Sequence, residues 1–303
     1  MMTSPSLSRA AALSPHDETR GLAWGALGVT LFALTLPMTR LAVGSAADPQ
    51  LSPLFVSAGR AAAAGLLSVA WLALTRAARP SRRQGTALAL TALGVVLGFP
   101  LFLALALRQV NAVHAAVVTG VLPLATAAVG ALTLRQRASA GFWACALLGC
   151  ALVLAYAVTR GGGFRPADAL LLLAVLSAAV GYVQGARLAR HLTPEQVICW
   201  VLVLALPFTA PLALAAWPAH PVRPAAWAGF AYVSLCSMWL GFFAWYRGLA
   251  LGGTLRVSQV QLAQPFLALM AAVPLLGETI DAATLGFALA IVATVFASRR
   301  ARV

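Results

Sequence analysis

Residues 253–280 read GTLRVSQVQLAQPFLALMAAVPLLGETI. The stretch is long and apolar enough to cross a bilayer, yet three of its features are out of place in lipid. Gln259, Gln261 and Gln264 carry side-chain amides, Pro265 interrupts the helical hydrogen-bond ladder, and Leu276-Gly277-Glu278 closes the segment on a charge. An echo lies 142 residues earlier, at 111–137: NAVHAAVVTGVLPLATAAVGALTLRQR. There Pro123 stands where Pro265 stands, and His114 where Arg256 stands. Two polar-spotted apolar helices related by duplication point to a membrane transporter built from two repeats.

Composition agrees. Apolar residues make up 61% of the 303 residues and charged ones 9%. A soluble domain is about half apolar and about a quarter charged. So few polar groups cannot cover a globule in water, and lipid removes that need. The net charge of +14 comes from arginine alone, since the chain has no lysine. In a soluble chain it would suggest nucleic acid; here the arginines fall mostly between apolar runs, where they orient helices in the membrane. Cys145, Cys150, Cys199 and Cys236 lie inside apolar runs without zinc-type spacing and read as small fillers. Residues 1–20 contain no apolar core of a cleavable signal and are expected to form a loose cytoplasmic tail.

A bilayer core of about 30 Å needs about 20 helical residues. Ten runs meet that length: 21–43, 53–75, 86–107, 111–134, 139–158, 166–186, 195–216, 225–247, 255–276 and 281–298. Turn chemistry separates them, as at Asp48-Pro49, Arg79-Pro80-Ser81 and Thr193-Pro194, and Asp168, Glu195 and Asp281 mark helix starts. With the N-terminus in the cytoplasm, fifteen arginines fall on the inner side and four on the outer, while Arg40 and Arg60 lie within helices. The positive-inside bias therefore favours ten spans with both termini cytoplasmic. The halves 21–158 and 166–298 match at an offset of 142 or 143: Leu97-Gly98-Phe99 answers Leu240-Gly241-Phe242. Five spans is an odd number, so the second repeat is inverted relative to the first. The expected architecture is all-α and polytopic, with two inverted five-helix repeats and a basic cytoplasmic tail at 299–303.

These features carry a family resemblance. The chain resembles the EamA family of the drug/metabolite transporter superfamily, whose repeats carry a small and polar segment, a proline and a terminal Leu-Gly-Glu in the fourth helix. Gln264-Pro265 and Leu276-Gly277-Glu278 match in the second repeat; Ala115-Ala116 and Leu122-Pro123 match in the first. The first repeat departs at Leu134-Arg135-Gln136-Arg137, where Gly-Glu-Arg is expected, and Arg60 also looks like that family's arginine. The resemblance implies a multi-pass inner-membrane permease and, from the family's exporters, efflux. It does not choose a substrate.

Among single residues, Arg60 lies about seven positions into the second helix, too deep for the headgroups. A charge at such depth costs at least about 2.5 kcal/mol on insertion scales and normally faces protein or a water-filled cavity. It suits a substrate carboxylate or phosphate; the alternative is snorkelling or pairing with a helix-end carbonyl. Arg40, nearer its helix end, favours snorkelling. Gln261 and Gln264 share one helix face with Ser258, and Pro265 frees the carbonyl of Gln261. These groups fit a polar cavity wall, or interhelical hydrogen bonds that glue the bundle. His114 and Thr119 occupy the matching helix, Pro123 frees the Thr119 carbonyl, and His114 is either a proton site or a packing residue. Pro37 and Pro100, like Pro123 and Pro265, are expected to kink their helices. The aromatic run Trp239, Phe242, Phe243, Trp245 and Tyr246 lines a pocket or, more simply at its inner end, forms an interfacial belt.

All seven carboxylates, Asp17, Glu18, Asp48, Asp168, Glu195, Glu278 and Asp281, fall in tails, loops or helix ends. No acid at a helix midpoint offers a proton relay. The sequence has no Walker A, HExxH or GxSxG motif, so no cofactor, metal or nucleotide is expected. The reading is a secondary transporter, not an enzyme, that exports a small organic metabolite of the amino-acid or organic-anion class by alternating access. Arg60, His114, Thr119, Gln261 and Gln264 are its expected substrate contacts. The rival is a membrane-embedded enzyme acting on a lipid or isoprenoid. No nucleic-acid partner is expected.

Overall fold

The computed structural model describes residues 15–133, 139–161, 163–189, 191–252, 257 and 260–300. The unmatched end of the first repeat at 134–137, Arg256, Ser258 and Gln259 lie outside them. Every named element among the described residues is a helix, and their one β pairing is an isolated bridge between Gly44 and Pro49. Eight helices are long and apolar enough to cross a membrane, from Asp17–Val43 to Pro224–Leu251. Two shorter apolar helices, Gln261–Leu276 and Ala282–Ser298, follow.

In chain order the elements are α1 (Pro15–Ala33), α2 (Thr35–Val43), α3 (Pro53–Leu74) and α4 (Gly85–Thr91). A π-helical segment (Ala92–Gly98) leads into α5 (Phe99–Leu107), then α6 (Ala112–Thr119), α7 (Leu122–Thr133) and α8 (Ala140–Gly161). The second half comprises α9 (Pro166–Leu188), α10 (Pro194–Ala215) and α11 (Pro224–Tyr232). A second π-helical segment (Val233–Leu240) precedes α12 (Gly241–Gly252), and α13 (Gln264–Leu276) and α14 (Ala282–Arg300) end the chain.

Helix starts follow local chemistry. Pro53, Pro166, Pro194 and Pro224 occupy first-turn positions, where the missing N–H costs nothing. The side chains of Ser52, Asn111 and Asp281 accept the N–H of Phe55, His114 and Thr284. The Asp168 carboxylate accepts the N–H of Arg165, and the Gln196 amide oxygen that of Thr193.

The two halves pack with an internal pseudo-symmetry. α3 packs along α10, and α8 along α14, each joining equivalent helices of the two halves. α1 packs on α12, while α5 and the π-helical turn before it pack on α9, which is the same contact with the halves exchanged. The second of these contacts needs glycine. A Cβ on Gly94 would lie 2.5 Å from the Ser177 carbonyl oxygen, and one on Gly181 3.0 Å from the Val95 nitrogen. Large apolar side chains such as Leu66, Leu147, Phe208 and Met270 stand more than 60% exposed, as lipid-facing positions do.

Of the aromatic run, Phe242, Trp245 and Tyr246 are buried within the core, which favours an interior role over the interfacial belt, and Phe242 lines a cavity. Phe242 sits edge-on to Phe32 of α1, with ring centroids 5.0 Å apart.

Candidate functional site

Four of the apolar helical stretches are locally broken near a proline. α1 stops at Ala33 and α2 restarts at Thr35, with Pro37 in its first turn. Pro100 follows the first π-helical segment, where the N–H of Phe99 reaches back five residues to the Gly94 carbonyl. Since Pro100 has no N–H for the Val96 carbonyl, the wider turn absorbs the mismatch. Pro123 and Pro265 each occupy the first turn of a restarting helix, after the breaks at Gly120-Val121 and Gln261–Ala263. The matching π-helical segment of the second half forms without a proline, and there the Gly241 N–H bonds the Cys236 carbonyl.

The broken helices surround two small chambers. One is lined by Thr119, Gly120 and Pro123 from the first half and Gln261, Gln264 and Pro265 from the second. The other is lined by Thr35, Arg60 and Phe99 from the first half and Tyr182, Ser237 and Gln264 from the second. Leu36, Leu122 and Gln264 border both. Their volumes are about 20 and 30 Å³. Each holds about one water molecule, far below the roughly 300 Å³ at which organic-ligand pockets begin. A metabolite therefore does not fit either chamber as it stands.

Arg60 is 2% exposed and faces the second chamber. Its Nη2 donates to Ser237 Oγ at 2.9 Å, and that oxygen lies 2.7 Å from Thr35 Oγ1. Its Nε is buried with no hydrogen-bond partner, and no acid pairs with it among the described residues. A buried guanidinium held by one neutral hydroxyl retains an unpaired Nε–H donor beside the one that Ser237 takes. Guanidinium donors of this kind bind a carboxylate or phosphate in bidentate fashion. Neither Gln261 nor Gln264 makes a side-chain hydrogen bond among the described residues, so both amides are available to a ligand.

The site differs from the sequence expectation in three respects. The Gln261 carbonyl is not free: the N–H of Gln264 takes it in a 3₁₀ turn. By contrast, the Thr119 carbonyl accepts no backbone N–H across the break among the described residues, while its hydroxyl bonds the Ala115 carbonyl at 2.7 Å. His114 lines neither chamber. It is 9% exposed, its Nε2 lies 2.6 Å from Asp168 Oδ1, and its ring sits 5.1 Å from that of Tyr156. Thr35, Tyr182 and Ser237 were not singled out from the sequence. Their signal is a polar group at mid-span in an apolar run, which is weak for hydroxyls.

Leu276-Gly277-Glu278 has a structural role. Gly277 takes the left-handed conformation (φ 66°) and ends α13, its N–H bonding the Val273 carbonyl. The chain then turns so that the Glu278 oxygens accept the N–H groups of Ala112 and Val113 at 2.8 and 2.7 Å. A carboxylate from the second half therefore caps the N-terminus of α6 in the first, where the helix dipole favours negative charge. Arg40 complements it at helix C-termini, donating to the carbonyls of Gly44 and Leu107.

Three comparisons bear on this architecture. The model of the EamA-like transporter family matches residues 19–157 and again 165–299. The uncharacterized transporter YdeK of Bacillus subtilis (strain 168) is 42% identical over 290 residues, covering 94% of this chain and 99% of its own. A solved crystal structure superposes with a TM-score of 0.61 at 19% identity, over 93% of this chain and 96% of its own, which shows likeness of fold.

Proposed function

Because the chain belongs to the EamA-like transporter family and is thus a multi-pass membrane transporter, we propose that it is a secondary transporter of a small organic metabolite carrying a carboxylate or another compact anion. The observation that carries this reading is Arg60, buried at the boundary of the two halves with its Nε unpartnered beside Gln264 and Tyr182.

The substrate anion replaces Ser237 on the guanidinium and takes the free Nε edge. The amides of Gln264 and Gln261 bind its remaining polar groups, and the two chambers merge as Leu36 and Leu122 separate. Arg60 belongs to the first half and Ser237 to the second, so exchanging one for the substrate loosens a tie between the halves. Rocking of one half against the other then gives alternating access. The arginine distribution supports ten spans in an inner, plasma membrane with both termini cytoplasmic. That orientation puts His114–Asp168 and the Glu278 cap toward the outside. Direction rests on the resemblance to exporters and is taken as outward.

Reconstitution in liposomes with labelled amino acids and organic anions tests the proposal. Saturable movement that is lost in Arg60→Ala and reduced in Gln264→Ala supports it. If nothing in the panel moves while the purified protein turns over a lipid, the transport reading is wrong. Imposed proton and sodium gradients identify any coupling.

A further inference from the structure

At the end of the bundle away from His114 and Glu278, a cleft of about 610 Å³ lies between the starting turn of α4 and the end of α9. Arg83 and Arg187 line it, with Gln84, Gln184 and His191. Arg83 has no ion-pair or hydrogen-bond partner among the described residues, and Arg187 donates only to the neutral Gln184 Oε1, at 3.2 Å. Two exposed cations thus share one concave surface without a carboxylate.

The cleft does not end in solvent on its inner side. Leu90, which lines it, also lines an apolar groove of about 220 Å³ that climbs the same helix pair between Leu93 and Gly94 on one wall and Leu176, Ser177 and Val180 on the other. Leu93 and Leu176 are 58% and 52% exposed. The close approach at Gly94 and Gly181 marks where the helices come together. From Ala87 to Gly94 the groove runs on the order of 10 Å, enough for the upper part of an acyl chain.

We propose that this cleft and groove bind one anionic phospholipid. Its phosphate sits between Arg83 and Arg187, and one acyl chain lies along Leu93 and Leu176. Charge selects the headgroup, because basic pockets between helix ends at a membrane surface hold anionic lipids. The apolar continuation distinguishes a lipid from a free anion, which would gain nothing from Leu93. The lipid is then a wedge between α4 and α9, helices of different halves. The site is separate from the Arg60 chambers and stands whatever the transported substrate.

The test uses the full-length protein in detergent, with lipid retention followed by native mass spectrometry. The probes are phosphatidylglycerol, phosphatidylcholine of the same acyl chains, and inorganic phosphate as competitor. Phosphatidylglycerol is expected to stay bound under conditions that strip phosphatidylcholine. The double variant Arg83→Gln/Arg187→Gln should weaken its retention at least tenfold, Leu93→Trp, which fills the groove, should weaken it severalfold, and millimolar phosphate should not displace it. Arg223→Gln, an arginine at the other end of the bundle, should behave as wild type. Size-exclusion profiles identify any variant that fails to fold. Equal retention of both lipids, or wild-type retention by the double variant, overturns the proposal. Displacement by inorganic phosphate together with indifference to Leu93→Trp also overturns it, in favour of a free-anion site.

Discussion

Arg60, buried within the bundle, and Glu278, at a helix end, are both charges that tie the two halves together, and they are satisfied in opposite ways. Glu278 is fully used: both oxygens accept backbone N–H groups of α6. Arg60 is under-used, with one bond to Ser237 and an idle Nε. A group that only held the bundle together would be expected to look like Glu278. Replacement should separate the two roles. Arg60→Lys keeps the charge but loses the planar fork, and should cut transport about tenfold or more with folding retained, measured as saturable flux in liposomes. Glu278→Ala should cost about 1–2 kcal/mol of stability by removing an N-terminal cap, seen as a lower melting temperature in detergent. Gly277→Ala should cost a similar 1–2 kcal/mol. No atom lies within 4 Å of the added Cβ, so that loss would report backbone strain alone.

Among the elements, the paired breaks at Pro123 and Pro265 shape the site, and they were legible because proline and glutamine are conspicuous in an apolar helix. The hydroxyls were not. Ser68, Thr91, Thr119, Thr126 and Ser234 all bond the carbonyl four residues back, so a serine or threonine in an apolar helix usually satisfies itself. Thr35 and Ser237 bond across helices instead, and sequence offers no way to tell them from the others. The partner of His114 was hidden for a similar reason, since Asp168 is 54 residues away and reads equally well as a helix-start acid, which it also is. Helix starts were readable because capping is local. If the Pro265 break is a hinge, Pro265→Ala should restore a regular helix through Gln261. Its melting temperature should stay within a few degrees of wild type while flux falls roughly fivefold or more.

For the whole molecule, membrane class and two-repeat construction followed from composition and from one internal offset. Three ties between the halves lie toward one end: His114–Asp168, the Glu278 cap, and the exposed Arg223–Asp48 pair, which Gln50 supports by accepting the Arg223 N–H. If these hold the outer side shut, Asp168→Asn should favour outward opening. A tie of about 1–2 kcal/mol shifts such a ratio by a factor of about 5–30. The measurement is labelling of Gln264→Cys by an impermeant thiol reagent from outside, with Cys145, Cys150, Cys199 and Cys236 replaced. Faster labelling is expected, and an unchanged rate would show that the pair is not a latch.

The Glu278 cap also sets a schedule for biogenesis. Glu278 is synthesised 166 residues after Ala112, and Ser237 comes 177 residues after Arg60. At about 5–20 residues per second, the ribosome leaves both waiting for roughly 10–30 s. During that interval the nascent first half has the Ala112 and Val113 N–H groups of α6 without their carboxylate and a guanidinium without its hydroxyl, so it should be a substrate for membrane quality control. A fragment ending at residue 163 should be cleared rapidly when expressed alone, and co-expressing the remaining chain should protect it.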